Sequence, residues 1–353
     1  MHERFFYDVV LGRKQGLIYD LLRSILKVLS LFFYSAVLFR RLLYRYRIKR
    51  SFTPESLTIV VGNIAVGGTG KTPFTIFLTE KLLHTMPCAV LTSGYKSGLD
   101  YDTVVTVPVH GNAIGVGDEA ALIRRALPSV PLFVGRDRVA SAKQAQKEAR
   151  CLILDDGLQH VALSPHVRIA MIDASEPFGG GYLLPRGLLR EPVSVLRKVD
   201  LIVLHRVNQA RDVQEIENTL RKYTSTPIIH SEFVFNGWHD QSDNVVSLPE
   251  KTQVALFCGI AKPEQFLEQV SKKLTVVLSR FGKDHVGLSE VELEAFMKEA
   301  MAYGAEACVC TEKDIVRLAK KFSFPLYWAK GSIKIIQGQD VLEQCLTEWE
   351  KRV

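Results

Sequence analysis

The chain has 353 residues, of which 47% are hydrophobic and 24% charged, so it has the composition of a folded globular protein with a sizeable core. Its net charge of +7 is concentrated in residues 1–50, which carry eleven Lys and Arg against three acids. The rest of the chain sums to about −1, which excludes a basic, nucleic-acid-binding body. The six cysteines form no disulfide framework or zinc pattern and favour reduced thiols in a cytosolic compartment.

The basic arm, residues 1–50, is also the most apolar part of the chain. An uncharged run of twelve residues from Val28 to Phe39 follows Arg23 and Lys27 and precedes a cluster of six cations. A helix that crosses a bilayer needs roughly 20 apolar residues, so this run is short for a span. It is typical of a helix that lies in or dips into an anionic membrane surface. The alternatives are an ordinary buried helix with a solvated basic end, and a true span.

From residue 54 onward, apolar strands alternate with amphipathic helical stretches, which predicts βαβ units and a mainly parallel sheet with helices on both faces. The predicted strands are 57–61, 89–92, 131–134, 151–154, 167–172, 201–204, 254–257, 275–278, 307–310 and 325–329. The predicted helices are 73–83, 119–126, 138–148, 264–273, 289–301 and one from about residue 340.

The segment V-G-N-I-A-V-G-G-T-G-K-T-P, residues 61–73, follows a strand and opens a helix. Its glycines allow a compact turn whose N–H groups face one point, while the lysine suits β- and γ-phosphates and the following hydroxyl suits Mg²⁺. The strict pattern has glycine where this chain has Ala65, a departure that Gly62 and the G-G-T-G-K-T run offset. The segment predicts a P-loop NTPase-type fold that binds ATP. The predicted nucleotide-binding residues are Ala65, Val66, Gly67, Gly68, Thr69, Gly70, Lys71 and Thr72.

Two acidic motifs accompany this loop. C-L-I-L-D-D-G at 151–157 is an apolar strand that delivers Asp155 and Asp156 at its end, the arrangement of a Walker B magnesium site. V-G-D-E-A at 116–120 presents Asp118 and Glu119 at the start of a helix. These two acids suit a proton acceptor and a Mg²⁺ ligand, but equally an N-cap and a favourable charge at a helix N-terminus. Spacing alone does not decide between the two interpretations.

Three further motifs are ambiguous by themselves. R-F-G-K-D-H at 280–285 and T-E-K-D at 311–314 are either site residues or polar surface loops. The glycine-rich loop 179–192 carries Arg186 and Arg190, which either clamp an anionic substrate or merely belong to a connection.

These patterns divide the chain into five predicted regions. They are a basic apolar membrane-associated arm (1–50), a P-loop domain (51–235), which the family resemblance described next implies is a kinase domain, a linker region (236–252), a smaller α/β domain (253–335) and a C-terminal helix (336–353).

Taken in order, the motifs resemble those of one family, tetraacyldisaccharide 4′-kinase, the lipid A 4′-kinase of Gram-negative bacteria. The matching stretches are V-G-N-I-A-V-G-G-T-G-K-T-P, G-Y at 94–95, G-D-E at 117–119, D-D-G-L-Q-H at 155–160, L-P-R-G-L-L-R-E at 184–191, G-I-A-K-P at 259–263, D-H at 284–285 and T-E-K-D at 311–314. A basic, apolar N-terminal arm also belongs to the family.

The resemblance implies ATP-dependent phosphorylation of the 4′-hydroxyl of a tetraacylated glucosamine disaccharide 1-phosphate in lipid A biosynthesis. It implies a peripheral or monotopic enzyme at the cytoplasmic face of the bacterial inner membrane, with ATP and Mg²⁺ as cofactors and no obligate protein partner. The implied catalytic residues are Asp118 as general base, His285 as its assistant, and Lys71. The implied Mg²⁺ ligands are Thr72, Glu119, Asp155 and Asp156, and the implied substrate residues are Arg190, Tyr95 and His160. The alternative function is that of a membrane-bound P-loop ATPase that switches a partner interaction.

The chain departs from the family pattern at three places. Ser93 stands where the family usually has arginine, Ala120 where proline is common, and Arg186 where a small residue is usual. None of these positions is a predicted phosphate or metal contact, so the resemblance implies an active enzyme.

Overall fold

The computed structural model describes residues 2–94, 100–108, 115–260, 262–282, 287–318 and 320–352. Thirteen strands within this described part form one continuous sheet. The strands are β1 (Leu57–Asn63), β2 (Cys88–Thr92), β3 (Val104–Val107), β4 (Leu132–Gly135), β5 (Cys151–Asp155), β6 (Val167–Asp173), β7 (Leu201–His205), β8 (Ile228–His239), β9 (Val245–Val246), β10 (Gln253–Cys258), β11 (Thr275–Phe281), β12 (Ala307–Thr311) and β13 (Leu326–Gln337). The helices are α1 (His2–Val10), α2 (Leu17–Arg45), α3 (Lys71–Leu82), α4 (Asp118–Ala126), α5 (Arg138–Ala145), α6 (Val213–Arg221), α7 (Pro263–Ser271), α8 (Glu290–Ala302), α9 (Glu312–Ile315) and α10 (Gln339–Glu350).

Strands β1 to β7 with helices α3 to α6, here called the N-terminal group, are parallel except for the edge strand β3. Their spatial order is β7-β6-β1-β5-β2-β4-β3, so β1 lies between β5 and β6. Every residue of β1, β2, β5 and β7 is buried. Strands covered on both faces read as continuous apolar runs, which is why the sequence predicted them. The predicted mainly parallel α/β fold is confirmed.

A long antiparallel ribbon of β8 and β13 connects this group to the rest of the sheet. β8 pairs in parallel with β7, and β13 pairs in parallel with β12. Strands β10 to β12 with helices α7 to α9, here called the C-terminal group, form the other end of the sheet. The strand predicted at 325–329 is therefore the first part of a twelve-residue strand.

The C-terminal helix returns to the N-terminal group. Leu342 and Trp349 of α10 are buried in one cluster with Phe74, Leu78 and Leu82 of α3. The three α3 residues are spaced four apart, so they form one apolar stripe against the sheet. This packing holds α3, and with it the loop that precedes it, firmly on β1 and its neighbours.

Helix α2 is longer than the uncharged run that predicted it. It has 29 residues, which corresponds to roughly 43 Å at 1.5 Å per residue. Only 11% of its most apolar 18-residue window is buried, so the predicted alternative of an ordinary buried helix is wrong. Among the described residues it is the one helix long and apolar enough to cross a membrane.

Candidate active site

The phosphate-loop segment lies between the end of β1 at Asn63 and the start of α3 at Lys71. Gly70 has a left-handed backbone (φ 80°), and a side chain there would come within 2.6 Å of the His205 ring. Asn63 is buried and donates from Nδ2 to Thr69 Oγ1 at 3.0 Å. The turn is thus fixed from inside, and its open side leads into the N-terminus of α3, where a phosphate is favoured.

The non-glycine part of the loop is paired with a second loop. Ala65 forms an antiparallel bridge with Leu189, and the Val66 N–H donates to the Leu188 carbonyl at 2.8 Å. Ala65 is therefore held by backbone pairing and has no need of glycine. Gly62 lies inside β1 rather than in the turn, and its missing side chain makes room for Leu158.

Asp155 ends β5 directly beside α3. It accepts hydrogen bonds from Thr72 Oγ1 at 2.7 Å and from Thr75 Oγ1 at 3.2 Å. Burial raises the pKa of Asp155 to about 6, although the hydrogen bond from Thr72 lowers it. An aspartate that binds the hydroxyl of the G-K-T threonine is the arrangement that a Walker B strand provides.

Asp156 has a left-handed backbone (φ 54°). Its side chain faces Lys71 and Arg190, whereas that of Asp155 faces the threonines of α3. The Asp156 carboxylate lies 3.7 Å from Lys71 Nζ and accepts from Arg190 Nη1 at 3.1 and 3.2 Å. Burial alone would raise the pKa of Asp156, but Lys71 and then Arg190 lower it below its usual value. The site therefore holds an ionised carboxylate between two cations that suit phosphate groups.

The loop 184–191, which carries Arg190, contacts both the phosphate loop and helix α2. On the α2 side, Ser30 Oγ donates to the Leu183 carbonyl at 2.9 Å and accepts from the Arg186 N–H at 3.0 Å. Glu191 is fully buried and pairs with Arg41 Nη2 at 2.5 Å. Arg186 itself donates to the Val10 carbonyl, so it binds the arm. One loop thus links the apolar arm to the phosphate site.

Asp118 and Glu119 begin α4, whose N-cap is Gly117 (φ 105°) without a side-chain cap. The interpretation of Asp118 as an N-cap is therefore wrong. Its carboxylate pairs instead with Arg317, at 3.0 Å from Nε and 2.6 Å from Nη2. Glu119 is close enough to Asp155 to raise the pKa of that carboxyl. The second acidic motif therefore lies at the same site as the phosphate loop.

A family model described as tetraacyldisaccharide-1-P 4′-kinase (LpxK) matches residues 22–350. The chain belongs to the tetraacyldisaccharide 4′-kinase family. Relatives of that name include a protein of Chlamydia trachomatis, 33% identical over 335 residues that cover 91% of this chain and 88% of the relative. Another, from Halothermothrix orenii, is 29% identical over 341 residues, covering 90% of this chain and 88% of the relative.

The fold of the family is the fold of this chain. The crystal structure of LpxK from Aquifex aeolicus in complex with ATP matches with a TM-score of 0.73 at 24% identity, covering 93% of this chain and 99% of that one. The resemblance inferred from the motifs is confirmed, and a kinase is favoured over a P-loop ATPase that switches a partner interaction.

The structure brings together Lys71, Thr72, Asp155, Asp156 and Arg190 as the tetraacyldisaccharide 4′-kinase resemblance implies. His160 lies on the turn after the aspartates, where burial and then Arg138 lower its pKa to about 4, so its ring is neutral at pH 7. Tyr95, Asp284 and His285 lie outside the described residues, and their predicted roles stay predictions.

Sequence reasoning missed Arg138 and Arg317. Arg138 begins α5 and is buried, with Nη2 donating to the Asp155 carbonyl at 2.7 Å. Burial lowers its pKa to about 10. In the sequence it is only the first residue of a helix after the N-cap Asp137, and nothing marks it as a neighbour of the aspartates.

The oxygen donors at this site fit Mg²⁺. Thr72, Asp155, Asp156 and Glu119 offer hard oxygen atoms, the ligands that Mg²⁺ prefers. Within the described ranges no group of three or more His, Cys, Asp or Glu side chains forms a metal cage. Mg²⁺ usually takes one or two carboxylates and completes its shell with water and substrate phosphates.

Proposed function

We propose that this chain transfers the γ-phosphoryl group of ATP to the 4′-hydroxyl of a tetraacylated glucosamine disaccharide 1-phosphate, in lipid A biosynthesis. The observation that carries the proposal is the loop 184–191. Its Leu188 pairs with the phosphate loop, and its Arg190 pairs with Asp156. Its Arg186 N–H and Glu191 carboxylate bind α2. A phosphate site built against an apolar, exposed helix suits an acceptor whose headgroup emerges from a lipid layer.

The phosphate side of the site neutralises charge. Lys71, the backbone N–H groups at the start of α3, and Arg190 face the position of the β- and γ-phosphates. When bound, Mg²⁺ would be held by Thr72 and the carboxylates of Asp155, Asp156 and Glu119, and would offset further phosphate charge. Because phosphoryl transfer needs positioning and charge neutralisation more than covalent chemistry, these groups supply most of the catalysis.

The acceptor side supplies a base. Asp118 lies at the N-terminus of α4, with its side chain largely buried and 21% exposed. It accepts the proton of the acceptor hydroxyl, assisted by His285 as the family resemblance implies.

The basic arm, residues 1–50, binds the enzyme to the membrane that holds its lipid substrate. Exposed apolar residues of α2 enter the lipid, while the basic cluster at its end binds anionic phosphates. The proposed location is the cytoplasmic face of the inner membrane, where ATP is available.

The test is incubation of the full-length protein with ATP, Mg²⁺ and a lipid A precursor disaccharide 1-phosphate, followed by mass spectrometry. We expect a product heavier by one phosphate, and its position is checked by fragmentation. ATP hydrolysis at the same rate with and without the disaccharide, and no phosphorylated lipid, would contradict the proposal. A precursor already phosphorylated at the 4′-position serves as the control and should give no product.

A further inference from the structure

Asp118 is held by a residue from the far end of the chain. Arg317, which follows α9, donates from Nε to Asp118 Oδ1 at 3.0 Å and from Nη2 to Asp118 Oδ2 at 2.6 Å. Both side chains are largely buried, with 14% and 21% exposed. A planar guanidinium that binds both oxygens of a carboxylate fixes the plane of that carboxylate, which a single point charge does not do.

The motif T-E-K-D is what holds Arg317 in place. Thr311 and Asp314 form a capping box at the start of α9, and Asp314 Oδ1 also accepts the Gly259 N–H at 2.8 Å. Asp314 is buried, and the same Oδ1 lies 3.5 Å from Arg317 Nη1. T-E-K-D is therefore not a polar surface loop. It holds the Asp314 carboxylate in place, and that carboxylate lies beside the guanidinium of Arg317.

Two glycines close around the guanidinium. A side chain at Gly287 would come within 2.8 Å of Arg317 Nη1, and one at Gly259 within 3.0 Å. The absence of both side chains leaves a slot that fits a flat group. Asp314 and the two glycines thus all lie beside Nη1 of Arg317, while Nε and Nη2 bind Asp118.

A salt bridge that merely docks α4 on the C-terminal group is the plainer interpretation. Helix α4 is also held at its other end, where Arg125 pairs with Asp243, between β8 and β9, and lies over the ring of Trp328 in β13 at 4.4 Å. With α4 fixed there, the pair of hydrogen bonds from Arg317 to Asp118 has a more specific effect than docking. Arg317 binds both carboxylate oxygens and so fixes the plane of the carboxylate, which docking of the helix alone would not require.

We propose that Arg317 is a positioning residue that orients the Asp118 carboxylate toward the acceptor hydroxyl. The inference rests on the proposed kinase function and deepens it: the C-terminal group sets the geometry of the general base through T-E-K-D and Arg317. It assigns to Arg317 no contact with ATP or with the acceptor.

The experiment is a double-mutant cycle on the full-length protein in detergent micelles, measuring phosphate transfer to the disaccharide. The variants are Arg317→Gln, Asp118→Ala and the double variant. We expect Arg317→Gln to lower kcat roughly 10- to 100-fold, since a misplaced reacting group costs about that much, and to leave the KM for ATP within about twofold. In the Asp118→Ala background the same change should cost no further rate. Lys320→Gln, which removes an exposed cation three residues away, is the matched control and should stay within about twofold of wild type.

Three results would overturn the inference. They are a wild-type rate in Arg317→Gln, a faster rate in that variant, and a full repeat of its loss in the Asp118→Ala background. If Arg317→Gln melts at a lower temperature than wild type, Arg317→Met, which keeps the apolar stem, is run through the same cycle. A wild-type protein that phosphorylates no disaccharide contradicts the proposed function itself, so the two failures are distinguishable.

Discussion

The two acidic pairs of the site are built in different ways. Asp155 and Asp156 are held by residues of the N-terminal group and its loops: Thr72, Thr75, Lys71, Arg138 and Arg190. Asp118 is held by Arg317, 199 residues further along the chain. The phosphate side is therefore assembled within one packed group, whereas the acceptor side is completed by the C-terminal group.

The difference separates two tasks of a kinase. A phosphate site assembled in advance binds nucleotide without rearrangement, because its groups are fixed by the core around β1 and α3. The proposed base, Asp118, is oriented by Arg317 from another part of the chain, so its position depends on that part. We therefore expect changes in the C-terminal group to affect phosphate transfer more than ATP binding.

The sharpest test of this comparison is Asp118→Asn. Asparagine keeps the shape but accepts no proton, so we expect kcat to fall about 10³-fold, within the range for loss of a general base. The KM for ATP should stay within about twofold, since the phosphate side is separate. Steady-state kinetics with varied ATP at saturating disaccharide measures both. A large rise in the KM for ATP would show that the two acidic pairs are not independent.

Lys71→Met probes the other side. It removes one cation from the phosphates and one of the two ion-pair partners of Asp156 among the described residues, so we expect kcat to fall about 10²-fold and nucleotide affinity to fall with it. Lys81→Met, an exposed change in the last turn of the same helix, is the control. Binding of a fluorescent ATP analogue, measured without disaccharide, separates the two effects. Unchanged affinity would mean that Lys71 acts only in the transition state.

What the sequence predicted and what it missed follow the same division. The phosphate loop and the D-D-G strand were predicted because each is a local pattern in which the element and the chemistry coincide. Arg317 and Arg138 were missed because their partners are distant in sequence, and only the packed fold brings them together. Asp118 was open between a cap and a base for the same reason.

The fold divides similarly. Buried parallel strands were predicted well, since their apolar runs are continuous. The edge strand β3 and the end of β13 alternate in exposure or are partly solvated, and they were missed or cut short. Helix α6 was overlooked although it carries a readable start signal, since the Asp212 side chain accepts the Glu215 N–H at 2.9 Å.

Arg41→Gln tests how much the pairing of α2 with the loop 184–191 contributes to stability. The change removes the nearer of the two ion-pair partners of the buried Glu191 in the described part of the chain and leaves Arg40 at 4.0 Å, and burial already raises the pKa of that carboxyl. We expect a loss of about 2 kcal/mol in unfolding free energy, below the range for fully buried pairs because Arg41 is partly exposed. The double variant Arg41→Gln, Glu191→Gln should recover part of it, since no buried charge is left unpaired. Urea unfolding in micelles measures the three proteins, and equal loss in the single and double variants would contradict the argument.

The last prediction concerns the pH dependence of stability that arises from His205, whose ring packs against Gly70 of the phosphate loop. Burial, and then the charge of Arg206, lower the pKa of His205 to about 3 from an ordinary value of 6.5. Its contribution to stability is therefore complete above pH 6.5, where the ring is neutral in both the folded and unfolded chain. It is lost as the pH falls from 6.5 toward 3, because only the unfolded chain takes up the proton; at pH 5 the loss is about 2 kcal/mol.

His205→Gln removes this proton uptake, so its unfolding free energy should fall less between pH 7.5 and pH 5 than that of wild type. His84→Gln, at an exposed histidine just after α3, should follow the wild-type curve. Urea unfolding at the two pH values gives the comparison, and other titrating groups cancel because they are common to all three proteins. If the unfolding free energies of His205→Gln and wild type fall equally between the two pH values, His205 takes up a proton as readily in the folded chain as in the unfolded chain. The phosphate side would then be less rigid than its packing indicates.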